Sequence, residues 1–254
     1  MAYYPASLTF PSILGEMYSA AFTAPAFNWL CSPACTEMET IVMDWVAKAL
    51  GLPNVFWSTS SGGGVIQNSA SDAIATTIVA ARERRLRELL VAEGLKEDMK
   101  EYEDRRMELQ SRFVAIVSDQ THSSGAKGAL IAGVRSRSVK THLRDNMEMT
   151  GQGLREVLEQ CEKDGLIPFH LIMTFGTTNT CSSDRFAAIK TALQEKAAWQ
   201  RVWVHVDGAY AGASLVANEW QYIASDFARG VDSFNMNMHK WLLVSFDARY
   251  VHDW

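Results

Sequence analysis

Val202-Trp203-Val204-His205-Val206-Asp207-Gly208-Ala209-Tyr210-Ala211-Gly212 is the stretch whose reading decides the fold. Residues 202–206 form an almost unbroken apolar run, the pattern of a strand covered on both faces rather than one with a wet side. An acid ends the run and small residues follow, leaving room beside it. A carboxylate in such a place needs a cationic partner, because burying it alone is costly. An Asp that caps the next helix fits the same letters.

Outward from this strand, further strand-like runs fall at residues 54–57, 113–118, 129–134, 138–143, 169–175, 233–236 and 241–246. Helical patterns lie between them at 34–51, 71–110, 151–163, 184–200 and 218–228. The alternation predicts an α/β layered domain with a largely parallel sheet. The segment 82–112 is dense in charge and reads as a solvated helix laced with i,i+4 pairs and broken near Gly94. No internal repeat or low-complexity tract interrupts the pattern.

Composition narrows the class. The 254 residues are 48% hydrophobic and 21% charged, enough apolar material for a substantial core. A net charge of -5 supplies no electrostatic footprint for nucleic acid. No apolar run is long enough to cross a bilayer, and Met1-Ala2-Tyr3-Tyr4-Pro5 lacks the basic and apolar regions of a signal peptide. A cytoplasmic enzyme is the expectation. Cys31 and Cys35 could be half a metal site, but no second Cys/His pair follows at ligand spacing, so no metal is expected. The four cysteines, with Cys161 and Cys181, read as reduced, packed thiols.

Besides Asp207, three clusters carry chemistry. Gly62-Gly63-Gly64-Val65-Ile66-Gln67-Asn68-Ser69-Ala70-Ser71-Asp72 runs into a long helical pattern. Small residues let a loop approach a ligand, and the first N–H groups of the helix make an anion site suited to phosphate. An ordinary glycine turn with a Ser cap would look alike. His122 follows the run 113–118, where ligands of α/β sheets bind, although a surface or capping His is an equal reading. Asn237-Met238-His239-Lys240-Trp241 places a lysine in an apolar, aromatic setting, where an amine can act as a nucleophile toward an aldehyde. An isolated His-Lys pair is usually surface. Taken together, a phosphate-binding helix start, a ring-facing His, a strand-end Asp and a Lys are the parts one pyridoxal-phosphate site requires.

These residues stand in a wider pattern. Pro11-Ser12-Ile13-Leu14-Gly15-Glu16-Met17, Ser32-Pro33-Ala34-Cys35-Thr36-Glu37, Phe175-Gly176-Thr177-Thr178 and Trp241-Leu242-Leu243-Val244-Ser245-Phe246-Asp247 join the motifs above. With them the chain resembles the group II pyridoxal-phosphate-dependent decarboxylases, in the aromatic-L-amino-acid decarboxylase branch. The resemblance implies a fold type I large domain over residues 1–254, a mostly parallel seven-stranded sheet between helices. Family members add an N-terminal helical segment and a C-terminal small domain. With an abrupt start at Tyr4-Pro5 and an end at Trp254, the chain is expected to be a piece of something longer.

Carried over by position, the resemblance implies that Lys240 forms the Schiff base with pyridoxal 5'-phosphate and Asp207 keeps the pyridine nitrogen protonated. His122 would stack on the ring and help position substrate or move a proton. Ala70, Ser71 and Asn237 would serve the phosphate, Thr178 would lie near the cofactor, Ala209 would pack a small side chain on the ring, and Ala6 would touch substrate. The implied reaction converts an aromatic L-amino acid to its amine plus carbon dioxide, in a homodimer. Two alternatives stay open: an aromatic aldehyde synthase, against which His122 weighs, and an inactive truncated cofactor-binding fragment. Gly208 stands where Ala is more usual, Met238 where Pro is common and Asn68 where Gly is common. The first is expected to loosen the strand end.

Overall fold

The computed structural model describes residues 8–245 and the backbone of 249–253. In chain order the elements are α1 (Phe10–Phe22), α2 (Pro33–Ala49), β1 (Gly63–Gln67), α3 (Ala70–Ala92), α4 (Tyr102–Ser111), β2 (Phe113–Ser118), α5 (Ser124–Ile131), β3 (Arg135–Val139), α6 (Gly151–Lys163) and β4 (Ile167–Thr174). There follow α7 (Phe186–Gln194), β5 (Trp203–Asp207), α8 (Gln221–Ser225), β6 (Ser233–Asn237), α9 (Met238–Trp241) and β7 (Arg249–Asp253). Short 3-10 turns complete the connections. Two compact units result, one of residues 1–73 and 207–254, the other of residues 74–206.

In the unit of residues 74–206 the strand order is β5-β4-β2-β3. β2 runs parallel to both β3 and β4, with a bulge where Ala115 meets His170 rather than Phe169. The α5 and α6 crossovers are what parallel pairing requires. Strand β2 is buried along its whole length. Helix α3 lays Ile74, Ile78, Ala81, Leu86 and Leu90 into the core, where Phe113 and Phe169 stack with centroids 4.9 Å apart. This spacing is one apolar stripe of a 3.6-residue helix. Helix α6 does the same with Leu154, Leu158 and Cys161, and begins at Thr150, whose hydroxyl accepts the Gly153 N–H at 3.1 Å.

In the other unit β7 lies between β1 and β6 and is antiparallel to both. The "mostly parallel" expectation thus holds within residues 74–206, and β7 supplies the antiparallel exception. Seven strands are present among the described residues. Helix α2 is joined to β1 by the Glu39 carboxylate, which accepts the Ile66 N–H at 2.7 Å. Helix α1 buries no side chain.

Several expectations are corrected. Residues 129–134 are not a strand: α5 covers 124–131, seated close on α3 because Gly128 carries no Cβ, which would stand 3.1 Å from Ile78 Cδ1. Gly133, at φ +66°, ends that helix, with Gly133 N–H bonded to Leu130 and Val134 N–H to Ala129. Residues 54–57 are not a strand: Asn54–Phe56 form a 3-10 turn after Pro53, and the strand expected at 138–143 is β3 at 135–139. β3 is an end strand whose Arg135-Ser136-Arg137-Ser138 is too polar to show as an apolar run. Residues 241–245 are not a strand; α9 ends at Trp241 and the chain turns. The charged segment divides into α3 and α4; Arg106 pairs with Glu83 of α3 and Arg105 with Glu93 just after α3, while other pairs are spaced i,i+3 or, for Arg82 with Glu83, adjacent. All four cysteines are free, but only Cys161 is buried, while Cys31 and Cys181 are exposed.

Candidate active site

Asp207 is the last residue of β5 and is 4% exposed. Its Oδ1 accepts the Ala209 N–H at 3.0 Å and the Asn235 side-chain amide at 3.3 Å. Both donors are neutral, and no salt bridge reaches the carboxylate among the described residues. The turn after it is stitched to β6: Gly208 N–H donates to Asn235 O at 2.9 Å and Asn237 N–H to Ala209 O at 3.3 Å. Gly208 is not a loosening of the strand end. A Cβ there would stand 2.7 Å from Phe234 Cε2 and 3.0 Å from Asn235 O, so glycine is what lets the turn lie flat on β6.

Strand β6 is fully buried and leads directly into α9, a single helical turn that carries half-buried Lys240. Trp241 Nε1 donates to Tyr210 O at 2.6 Å, and the two rings lie 6.0 Å apart. The acid turn 207–212 is therefore tied to β6 by the Asn235 amide donating to Asp207, and to the lysine turn 238–241 by Trp241 donating to Tyr210. Asn237, 3% exposed, has an Oδ1 with no hydrogen-bond partner among the described residues. A buried amide in that state is waiting for a partner from outside the chain.

The same unit contains the start of α3. Ser69 caps it, its hydroxyl accepting the Asp72 N–H at 2.9 Å, and Ala73 N–H bonds Ser69 O at 2.9 Å. The capping residue is Ser69. The N–H groups of Ala70 and Ser71 meet no acceptor among the described residues, as the first donors of a helix do not within the helix itself. A phosphate fits such a start. A buried, cation-free carboxylate, a lysine on a pinned turn, an unsatisfied amide and open helix N–H groups suit pyridoxal phosphate, which brings a basic ring nitrogen, an aldehyde and a phosphate.

His122 and Thr178 belong to the unit of residues 74–206. His122 follows β2, and its Nδ1 accepts the Ser124 N–H at 3.2 Å with the Ser124 hydroxyl 2.9 Å away. With Nδ1 engaged as an acceptor, the neutral ring carries its proton on Nε2. Asp119 fixes the same loop by accepting the Thr141 hydroxyl at 2.6 Å. Thr178 is exposed, in a loop after β4 where Thr177 N–H bonds Ser182 O at 2.9 Å and Ser182 N–H bonds Thr177 Oγ1 at 3.1 Å. Ala6 lies outside the described residues.

Asp184, which seats that loop, carries no local signal of its role. Its two oxygens accept the Met149 and Thr174 N–H groups, each at 2.7 Å, and burial pushes its carboxyl up to about 6 against the pull of those two donors. Nothing in the local sequence marks Asn235 and Trp241 as partners of Asp207 and of the turn that bears Tyr210. Their partners are 28 and 31 residues away in the chain.

Comparison with known proteins gives concordant results. The model of the pyridoxal-dependent decarboxylase conserved domain matches residues 1–253. The aromatic-L-amino-acid decarboxylase of Rattus norvegicus is 40% identical over 251 residues, 97% of this chain and 49% of that protein. That of Drosophila melanogaster is 37% identical over 249 residues, 97% of this chain and 46% of its own. Among solved structures, Catharanthus roseus tryptophan decarboxylase in complex with L-tryptophan superposes with a TM-score of 0.86 at 35% identity, covering 99% of this chain and 49% of that one. Rhodiola rosea 4-hydroxyphenylacetaldehyde synthase gives 0.86 at 33%, covering 99% and 50%. The chain spans about half the length of the curated relatives it matches.

Proposed function

Because the chain belongs to the pyridoxal-dependent decarboxylase family, we propose that it forms the cofactor-binding part of an enzyme converting an aromatic L-amino acid to its amine and carbon dioxide. The observation that carries this reading is the hydrogen-bonded pairing of two turns, one ending β5 in Asp207 and one bearing Lys240 after β6. The likeness to aromatic-L-amino-acid decarboxylases supports the substrate class. The reading includes residues 1–254 acting as one cofactor-binding domain of a cytoplasmic homodimer. No helix among the described residues is long and apolar enough to cross a membrane.

Pyridoxal phosphate, when bound, supplies an aldehyde that takes amines and a ring that accepts the electron pair left as carbon dioxide departs. The ε-amino group of Lys240 would hold that aldehyde and yield it to the substrate amine. Asp207 would keep a proton on the ring nitrogen: a buried carboxylate served only by neutral donors gains most from a cation, and its negative charge favours the protonated ring. The Ala70 and Ser71 N–H groups would bind phosphate, together with the side chain of Asn237, whose amide can present Nδ2 as a donor. His122, anchored through Nδ1, would offer its face to the ring and its Nε2 proton to substrate. Ala209 would leave space against the ring, and Thr178 would add a hydroxyl near the cofactor.

The test is direct. Protein supplied with pyridoxal phosphate is expected to gain the absorption band of the lysine-bound cofactor, and borohydride reduction with peptide mapping is expected to tag Lys240. A tag on another amine, or a band that survives Lys240→Ala, overturns the assignment. A second reading is favoured by the Rhodiola rosea likeness: decarboxylation coupled to oxidative loss of the amine, in which dioxygen takes the two electrons as hydrogen peroxide and water supplies the aldehyde oxygen as ammonia leaves. Assay of the complete protein for amine, hydrogen peroxide and ammonia separates the two, since only the aldehyde route yields the latter pair.

A further inference from the structure

Between Lys240 and Ser245 the chain turns through Leu243 at φ +62°, a left-handed conformation that L side chains rarely adopt. Nothing in the residue itself favours this. Leu243 is not glycine, and with 48% of its surface exposed it gains little by burial. The turn is held from outside. Leu243 O accepts the Thr9 hydroxyl at 3.2 Å, Ser245 N–H donates to Ser12 Oγ at 2.6 Å, and the hydroxyls of Ser12 and Ser245 meet. Thr9 sits at the N-cap of α1 yet makes no side-chain cap there, its hydroxyl being spent on Leu243. Because α1 buries no side chain, these polar ties, rather than apolar packing, connect its first turn to the 243–245 segment.

Two anchors follow the lysine in the chain. Helix α9 is one turn of four residues, too short to hold its shape alone. Contacts just after the lysine fix it: first Trp241 on Tyr210, then the ties of Leu243 to Thr9 and of Ser245 to Ser12. We propose that Ser12 and Ser245 form a clasp that positions Lys240 for the cofactor aldehyde, by holding Leu243 left-handed. Neither serine touches the reacting atoms. Both are positioning residues, and the inference rests on Lys240 being the attachment point. Without the clasp Leu243 relaxes toward ordinary φ, the α9 turn follows, and the amine spends less time where the aldehyde arrives.

The experiment follows the rate of pyridoxal-phosphate attachment by absorbance, with borohydride trapping and peptide mapping to confirm the site. The Ser12→Ala/Ser245→Ala double variant is expected to attach cofactor about tenfold more slowly, the factor that the energy of a left-handed leucine represents. Adding Leu243→Gly to that variant is expected to bring the rate back to within about twofold of the wild-type value, since glycine adopts the left-handed turn about as readily as ordinary φ. A purely structural contribution would not be rescued in this way, because glycine there removes a side chain and adds chain freedom. Wild-type rates in the double variant, or no recovery with Leu243→Gly, overturn the clasp. Lys240→Ala run in parallel separates the premises: a band that persists in it overturns the lysine assignment and the clasp together. Loss of the band there, with unaltered kinetics in the serine variant, overturns the clasp alone.

Discussion

Replacing Asp184 by Asn should remove a pH dependence whose sign and size the structure gives. Asp184 is 3% exposed, between the end of β4 and the start of α7, and accepts backbone N–H groups from Met149 and Thr174 at 2.7 Å each. Burial is the larger influence and raises its carboxyl from 3.8 to about 6, the two N–H donors opposing and Glu148 assisting. The folded chain therefore binds this proton more tightly than the unfolded chain does. The stabilising contribution is complete below about 4 and is lost as pH rises through 6. A shift of about two units corresponds to about 3 kcal/mol. Asn cannot titrate; it also presents Nδ2 where an acceptor is needed, orphaning one buried N–H at a pH-independent cost of about 1–3 kcal/mol. Urea melts of both proteins from pH 4 to 8 at constant ionic strength isolate the group, because every other titration cancels in the difference. Wild-type stability minus variant stability should fall by about 3 kcal/mol between pH 4 and 7 and then level off. A flat difference refutes the reasoning. A difference that rises with pH would mean that the two N–H donors outweigh burial and that Asp184 is an ordinary ionised carboxylate.

Two further outcomes are expected. His170 is wholly buried with both ring nitrogens unpartnered among the described residues; burial first, then His205 and Arg84, hold its imidazolium well below the usual histidine range. Its contribution is therefore complete above 6.5 and lost as pH falls, so His170→Phe should flatten the acid limb of stability in the same melts, and an unaltered limb would contradict this. Gly208→Ala should cost about 1–3 kcal/mol, read as a lower thermal midpoint, because its Cβ meets the Phe234 ring at 2.7 Å and a carbonyl that is itself holding the Gly208 N–H. An unchanged midpoint would mean that Phe234 moves aside freely.

Much of the fold was legible where burial is two-sided. Phe113-Val114-Ala115-Ile116-Val117 could only be a covered strand, and Gly151–Lys163 showed its apolar stripe between a Thr cap and a basic last turn. Reading failed where the same letters serve two geometries. Ala129-Leu130-Ile131-Ala132 is apolar and short, and only its contact with α3 through Gly128 makes it helical. β1 was hidden because Gly63-Gly64-Val65-Ile66-Gln67 has a loop's composition; it becomes a strand by pairing with β7, 190 residues on at the Gly63–Asp253 pair and nearer at the others. α1 carries Phe10, Ile13, Leu14 and Met17 at helical spacing, yet buries none of them, so that pattern does not mark a core face.

The candidate site divides along the same line. Asp207, Lys240 and His122 could be named because each sits where a strand or turn hands a polar side chain to the edge of the fold, and each announces itself within a handful of residues. The residues that hold them could not. Asn235 acts on Asp207 across 28 residues, Trp241 on Tyr210 across 31, and Ser12 on Ser245 across 233. Motif reading finds groups that do chemistry because chemistry demands a residue type. Positioning demands only a donor or acceptor at the right point in space, which Ser, Thr, Asn or Trp can supply from anywhere the chain happens to return. Variation in how Lys240 is presented is therefore to be sought in such distant polar pairs, which can change while the Asn237-Met238-His239-Lys240-Trp241 letters stay the same.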